Sequence, residues 1–392
     1  MDKSAPKKPN ILLRLALFLL SLVMVLAAVA LVVYRDRLNL DALKRWYTYR
    51  SVTLSDSGQA QSFHYSGADG DVFADLDGDL LVCGKNAIAL YSGSGAQYVN
   101  QPVSFTAPAI SVGGGAAVVY DAGGTDLYVY RGREQVFSLQ SGGMLLSASL
   151  SGTGLLTVVS QQSGFRGVVT VYYSDFNVMA SMGLSSAYIT GARVSDNGQT
   201  LAAVCISQQN GEFASTLSLY DLGDLSADGV SREAVPFASC GLGGNVVLEL
   251  GGGSGRWWAL GDQGLWLLDE QGTILYTLDW SDSILQSFSL SGEDFAAALL
   301  GKYRAGSQSS LSVVDSNGML TGTIPVSGQV LSLDAAGRYF AVLTADRLDI
   351  YTRDLEPYST LEHTQGAQKV LLRGDGTAIL ISPGTAQLYV PS

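Results

Sequence analysis

The chain has 392 residues, 47% of them hydrophobic, enough to bury a large core once a short N-terminal segment is set aside. Forty-six Gly and nineteen Tyr, with only 15% charged residues, point to an all-β domain. Residues 1–50 carry nine Lys/Arg against three Asp/Glu, whereas residues 51–392 carry 14 against 32, a balance that repels phosphate and argues against a nucleic acid partner.

Residues 1–14 form a short basic tail, and Leu15 to Tyr34 is an unbroken apolar run flanked by Arg14, Arg35 and Arg37. Twenty residues rising 1.5 Å each span about 30 Å, the hydrocarbon thickness of a bilayer. A cleaved signal peptide is the competing reading, with Ala28 and Ala30 as a cleavage site, but the apolar run continues past that point and is too long for one. The expectation is therefore a single transmembrane helix at 15–34, with the lipid bilayer as partner. Basic residues on the two flanks nearly balance, and the short tail is the easier side to leave in the cytoplasm, so the large domain is expected outside. Residues 35–58 read as a linker. Within it, Asp36 to Tyr49 interleaves Leu38, Leu40, Leu43, Trp46, Tyr47 and Tyr49 with charges, an amphipathic helix that suits either a membrane interface or a stalk.

From residue 59 onward one pattern recurs: an apolar residue, a gap, then two adjacent apolar or aromatic residues. Its copies are Ile88–Tyr91, Leu127–Tyr130, Val169–Tyr172, Leu217–Tyr220, Leu265–Leu268, Leu311–Val314, Leu348–Tyr351 and Ala386–Tyr389. Their ends lie 37 to 48 residues apart, the period of stacked supersecondary units. Each unit opens with an apolar strand and a turn, as in FADLDGDLLV or ARVSDNGQTLAAV, and ends with a strand such as QVFSLQ. Four short strands per unit predict an eight-bladed β-propeller over 59–392, or a seven-bladed one if the looser fifth unit, LGGNVVLELGG, is not a full blade. Only three residues follow Tyr389, too few for a fourth strand. The stretch QAQSFHY at 59–65 is the spare strand expected to strap the last blade and close the ring.

The segments GLWLLDEQGTILYTLDW at 264–280 and SLSVVDSNGMLTGTIPV at 310–326 resemble the repeat of quinoprotein-like and WD-like propellers. The anchor followed by a propeller also resembles single-pass, membrane-anchored bacterial propeller proteins. That resemblance implies either a quinone-dependent dehydrogenase or an anchored scaffold for membrane-protein assembly. The chain lacks the adjacent Cys pair of the enzyme branch, and most units lack its tryptophan docking motif, so no cofactor is expected. The three cysteines, Cys83, Cys205 and Cys240, have no metal-ligand spacing and read as buried thiols.

Two histidines, His64 and His363, fall on outer strands and make a thin acid–base inventory, which leans against catalysis. Asp75, Asp77 and Asp79 have the alternating spacing of a calcium loop but lack its bidentate Glu, and other units place ordinary Gly turns there. The Gly runs at 113–115 and 251–255 precede no helix and are turns rather than phosphate cradles. Candidates for a binding face are Arg256, Trp257 and Trp258, for which packing between blades is the favoured reading, and the residues of the longest second-to-third-strand loops. Those are Phe165, Arg166, Phe213, Lys302, Tyr303 and Arg304. The expected role is a non-catalytic binding or scaffolding module for a protein or a cell-envelope glycan. The alternative is a quinone oxidoreductase or carbohydrate-active enzyme using the central channel.

Overall fold

The computed structural model describes residues 17–26, 40–68, 70–209, 211–253, 255–303, 308–364 and 366–391. The chain divides into an N-terminal unit ending at Val52 and a propeller unit, Thr53–Pro391. In the first, residues 17–26 are helical with exposed apolar side chains, and a second helix covers Leu40–Tyr49. The rest of the apolar run at 15–34, and residues 1–14, lie outside the described residues. Among those that are described, no helix is long and apolar enough to cross a membrane.

The propeller unit consists of eight antiparallel sheets, each taken in chain order. Blade 1 is Val72–Leu76, Asp79–Cys83, Ala87–Tyr91 and Gln97–Pro102, and blades 2 to 7 repeat the arrangement through Pro357–Glu362. Blade 8 combines Lys369–Leu372, Ala378–Ser382 and Thr385–Tyr389 with Phe63–His64 from the other end of the unit. There Phe63 faces Ala386, His64 faces Thr385, and Gln59 bridges to Tyr389. The fifth unit is a full sheet, Val247–Gly253 through Ile274–Asp279, so the seven-bladed alternative falls.

First strands of successive blades lie against one another from blade 6 through blades 8 and 1 to blade 5. Second strands are covered on both faces by neighbouring blades, so Asp79–Cys83, Ala116–Asp121 and Tyr339–Thr344 are buried throughout. That is why LLVC, AAVVY and YFAVL are continuous rather than alternating apolar runs. Outer strands alternate instead, as in Gln97–Pro102 and Leu320–Ser327, with one face toward water. The recurring four-residue core lies on the third strand in every blade. Opposite its last two residues the outer strand carries a β-bulge in six blades, at Leu90/Tyr91, Val129/Tyr130, Val171/Tyr172, Leu267/Leu268, Val313/Val314 and Ile350/Tyr351. Each bulge bends the outer strand and adds to its twist.

Blade 4 has an insertion. After its third strand, residues 222–237 cross to the outer edge of blade 3, where Ser231 and Arg232 pair in parallel with Met182 and Gly183. The Glu233 carboxylate accepts from the Ser185 amide at 2.6 Å and from the Ser186 hydroxyl at 3.1 Å, pinning the excursion. This covers one sheet edge that would otherwise offer free backbone groups.

Candidate functional site

Blade 5 holds four of the five tryptophans, and the structure gives them the packing role rather than the binding face. Trp257 and Trp266 are buried against blade 4, while Trp258 and Trp280 are buried against blade 6. Gly251 and Gly252 stand opposite Trp258 and Trp257, and a Cβ on Gly252 would sit 2.9 Å from the Trp257 ring, so the glycine run makes room for indoles. Trp280 Nε1 donates to Asp262 O at 3.0 Å. Arg256 is half-buried at the start of the same strand. The cluster is inter-blade packing, closed to a partner.

The acidic hairpin does not converge either. Arg373 Nε donates to Asp75 Oδ1 at 2.7 Å, Arg133 Nε meets Asp79 Oδ2 at 2.6 Å, and Asp77 stands exposed in the turn at φ 51°. Neighbouring blades claim the carboxylates on either side. Among the described residues no group of three His, Cys, Asp or Glu side chains could hold a metal ion. His64 and His363 are exposed at the outer edges of blades 8 and 7. The three thiols are free and buried; burial pushes Cys83 up to about 12 and Cys205 up to about 11, so neither is a nucleophile near neutral pH.

The loop face does expose its side chains. Phe213 is 71% and Tyr303 64% exposed, with Lys302 Nζ 5.9 Å from the Tyr303 ring. Phe213 stands on a hairpin rather than in a loop, because Thr200–Gln209 and Glu212–Asp221 stay paired out to Gln209 and Glu212. Arg166 lies over Tyr188 at 5.3 Å, an aromatic that the repeat pattern gave no reason to single out. Phe165 is half-buried beneath Arg232, 4.8 Å from its ring, and so serves the blade 3 edge. Beside Lys302 a shallow cleft of about 390 Å³ runs along Asp282, Ser283 and Gln308–Ser310. Arg304 lies outside the described residues.

The innermost strands carry a second constellation, invisible as a motif because its members come from different repeats. Around the axis, side chains of one blade bond to the backbone of the next: Ser149 Oγ to Ala192 O at 2.8 Å, and Asp334 Oδ2 from Leu372 N at 2.8 Å. At the seam between blades 8 and 1, Arg373 reaches Asp75 and Gly78 O, and Lys369 Nζ donates to Asp71 O at 3.1 Å. Burial pushes Asp334 up to about 6, although the Leu372 and Ala335 amides favour its charged form; Asp75 and Glu249 add to the rise. Glu249 is likewise raised by burial, while Arg193 beside it pulls the other way. The Glu249 residue is itself exposed, whereas Arg193 and Asp334 are half-buried. Burial lowers the Arg193 guanidinium, against the pull of Asp196 and Glu249.

Asp334 makes a prediction about pH. The folded carboxyl keeps its proton to about pH 6, whereas the unfolded one releases it near 3.8. Its contribution to stability is therefore complete below about pH 4 and is lost as pH rises through 6. Asp334→Asn lacks that loss, so it should gain about 2–3 kcal/mol relative to the wild type between pH 4 and pH 7. Urea denaturation of both proteins across that range checks this; a constant difference would refute it.

Eight blades of four strands, the third extended by a fifth, around a polar axis define a WD40-like β-propeller. The fold matches the C-terminal WD40 domain of Sif2 at a TM-score of 0.53 and 11% identity, over 86% of this chain and 97% of that one. It matches the Dos1 propeller at 0.52 and 12%, over 86% and 97%. The chain belongs to a family of unknown function, DUF5711, whose profile covers residues 47–385. No curated protein matches it.

Proposed function

We propose that this protein is a single-pass, membrane-anchored propeller that binds or scaffolds a protein or cell-envelope glycan, without catalysis. The observation that carries the reading is the loop face, where Phe213, Tyr303, Lys302 and the Arg166–Tyr188 pair project from an otherwise acidic domain. Aromatics and Arg on a rigid ring suit recognition because little side-chain freedom is lost on docking. Residues 1–14 remain in the cytoplasm, 15–34 cross the bilayer, and the propeller lies outside. Exposed apolar side chains at 17–26, and Leu43, Trp46 and Tyr47 exposed on the second helix, favour lipid contact. Residues 59–65 close the ring.

A channel enzyme is the second reading, favoured by Asp334 and Glu249, whose raised pKa values suit proton transfer. Asp334 already accepts two backbone amides, which leaves Glu249 without a second free carboxylate to work with, and the binding reading stands ahead.

Photo-crosslinkers at Phe213 and Tyr303 of the full chain in its native membrane should capture one discrete partner or glycan. Phe213→Ala with Tyr303→Ala should abolish capture through a crosslinker at Lys302 while shifting stability by less than about 0.5 kcal/mol. Unchanged capture would refute the docking face. Release of the full chain from membranes by alkaline carbonate would refute the anchor.

A further inference from the structure

Arg193 and Glu249 lie on the innermost strands of adjacent blades, Tyr188–Val194 and Val247–Gly253. The two attract each other through space, but no hydrogen bond or close ion pair joins either side chain to a described residue, and Arg193 Nε is buried with nothing to donate to. Most neighbouring charges are used, Asp75 by Arg373, Asp334 by two amides and Lys369 by the Asp71 carbonyl, while Asp196, whose Oδ1 accepts from Gly152 N at 3.2 Å, attracts Arg193 without bonding it. A buried donor without an acceptor destabilises a fold, so an Arg193 Nε–H kept at the axis without an acceptor points to a purpose other than stability.

We propose that Arg193 and Glu249 form a binding site for a small zwitterion with adjacent carboxylate and ammonium groups, a free α-amino acid being the simplest case. The ligand carboxylate takes the Arg193 guanidinium, and its ammonium donates to Glu249. A simple anion would satisfy Arg193 but meet Glu249 and Asp334 within a strongly acidic domain, and a simple cation would leave Arg193 buried and unpaired. A zwitterion answers both and adds no net charge. In blade 5 the inner strand carries a bulge between Val247 and Glu249, the irregularity that re-aims a side chain. This site lies on the channel wall, apart from the loop face, and stands or falls independently of the docking reading.

The test uses the purified full chain in detergent, with thermal unfolding and calorimetry against the twenty standard amino acids, acetate alone and methylammonium alone. At least one amino acid should raise the midpoint by about 2 °C or more at saturation, with neither half-ligand doing so. Arg193→Met should abolish that shift while leaving the unliganded midpoint unchanged or about 1–3 °C higher, because it removes an unpaired buried charge. Glu249→Gln should weaken binding about tenfold or more without loss of fold. The proposal fails if no amino acid binds, if acetate binds as well as the best amino acid, or if Arg193→Met lowers the unliganded midpoint.

Discussion

Deleting residues 59–66 is expected to cost the propeller most or all of its stability. That stretch supplies the outer strand of blade 8, with Ala60 N donating to Leu388 O at 2.9 Å, Tyr65 N to Gly384 O at 3.1 Å, and Gln387 Nε2 to Ala60 O at 2.9 Å. Phe63 is buried, 6.3 Å from the Tyr91 ring of blade 1, so one side chain joins the last blade to the first. Phe63→Ala alone should lose about 3–4 kcal/mol, the usual effect of emptying a buried aromatic site. The whole strap adds several backbone bonds at about 1 kcal/mol each, and together these approach the 5–15 kcal/mol that holds a typical domain. Its loss also leaves Thr385–Tyr389 as a bare sheet edge, so the deleted chain should aggregate. A peptide of residues 59–66 added in trans should restore part of the stability. A deleted chain with the wild-type denaturation midpoint would show that the ring holds without the strap.

Arg373→Met should cost about 3 kcal/mol, and Asp75→Leu a similar amount, whereas the two together should cost much less than their sum. Arg373 is 10% exposed and bonds Asp75 Oδ1 at 2.7 Å and Gly78 O at 2.8 Å, across the seam where the ring begins and ends. Removing either partner strands the other, whereas removing both trades an ion pair for apolar contact. Because Asp75 is 25% exposed, water partly compensates it, which places the single losses at the low end of the range for buried pairs. A double-mutant cycle by chemical denaturation reads the coupling directly, and additive losses would mean that the two groups do not depend on each other.

The order of elements was legible because each repeat is a local statement. The pairs Leu90/Tyr91 and Val313/Val314 are adjacent apolar residues because third strands are covered on both faces, and that periodicity survives in one dimension. The tryptophans left two roles open for a related reason. Trp257 and Trp258 point to opposite faces of one strand, so each is buried by a different blade, and composition alone does not distinguish a surface patch from two interiors.

What the sequence determined by itself was the number of blades and the position of every third strand, since these depend on hydrophobic spacing along the chain. Only the tertiary structure decided which charges find partners. Arg373 and Asp75 stand 298 residues apart and meet, whereas Arg193 and Glu249 stand on neighbouring inner strands and remain unbonded. Closing a ring sets side chains from distant repeats around one axis, and no local pattern records which of them will face each other there.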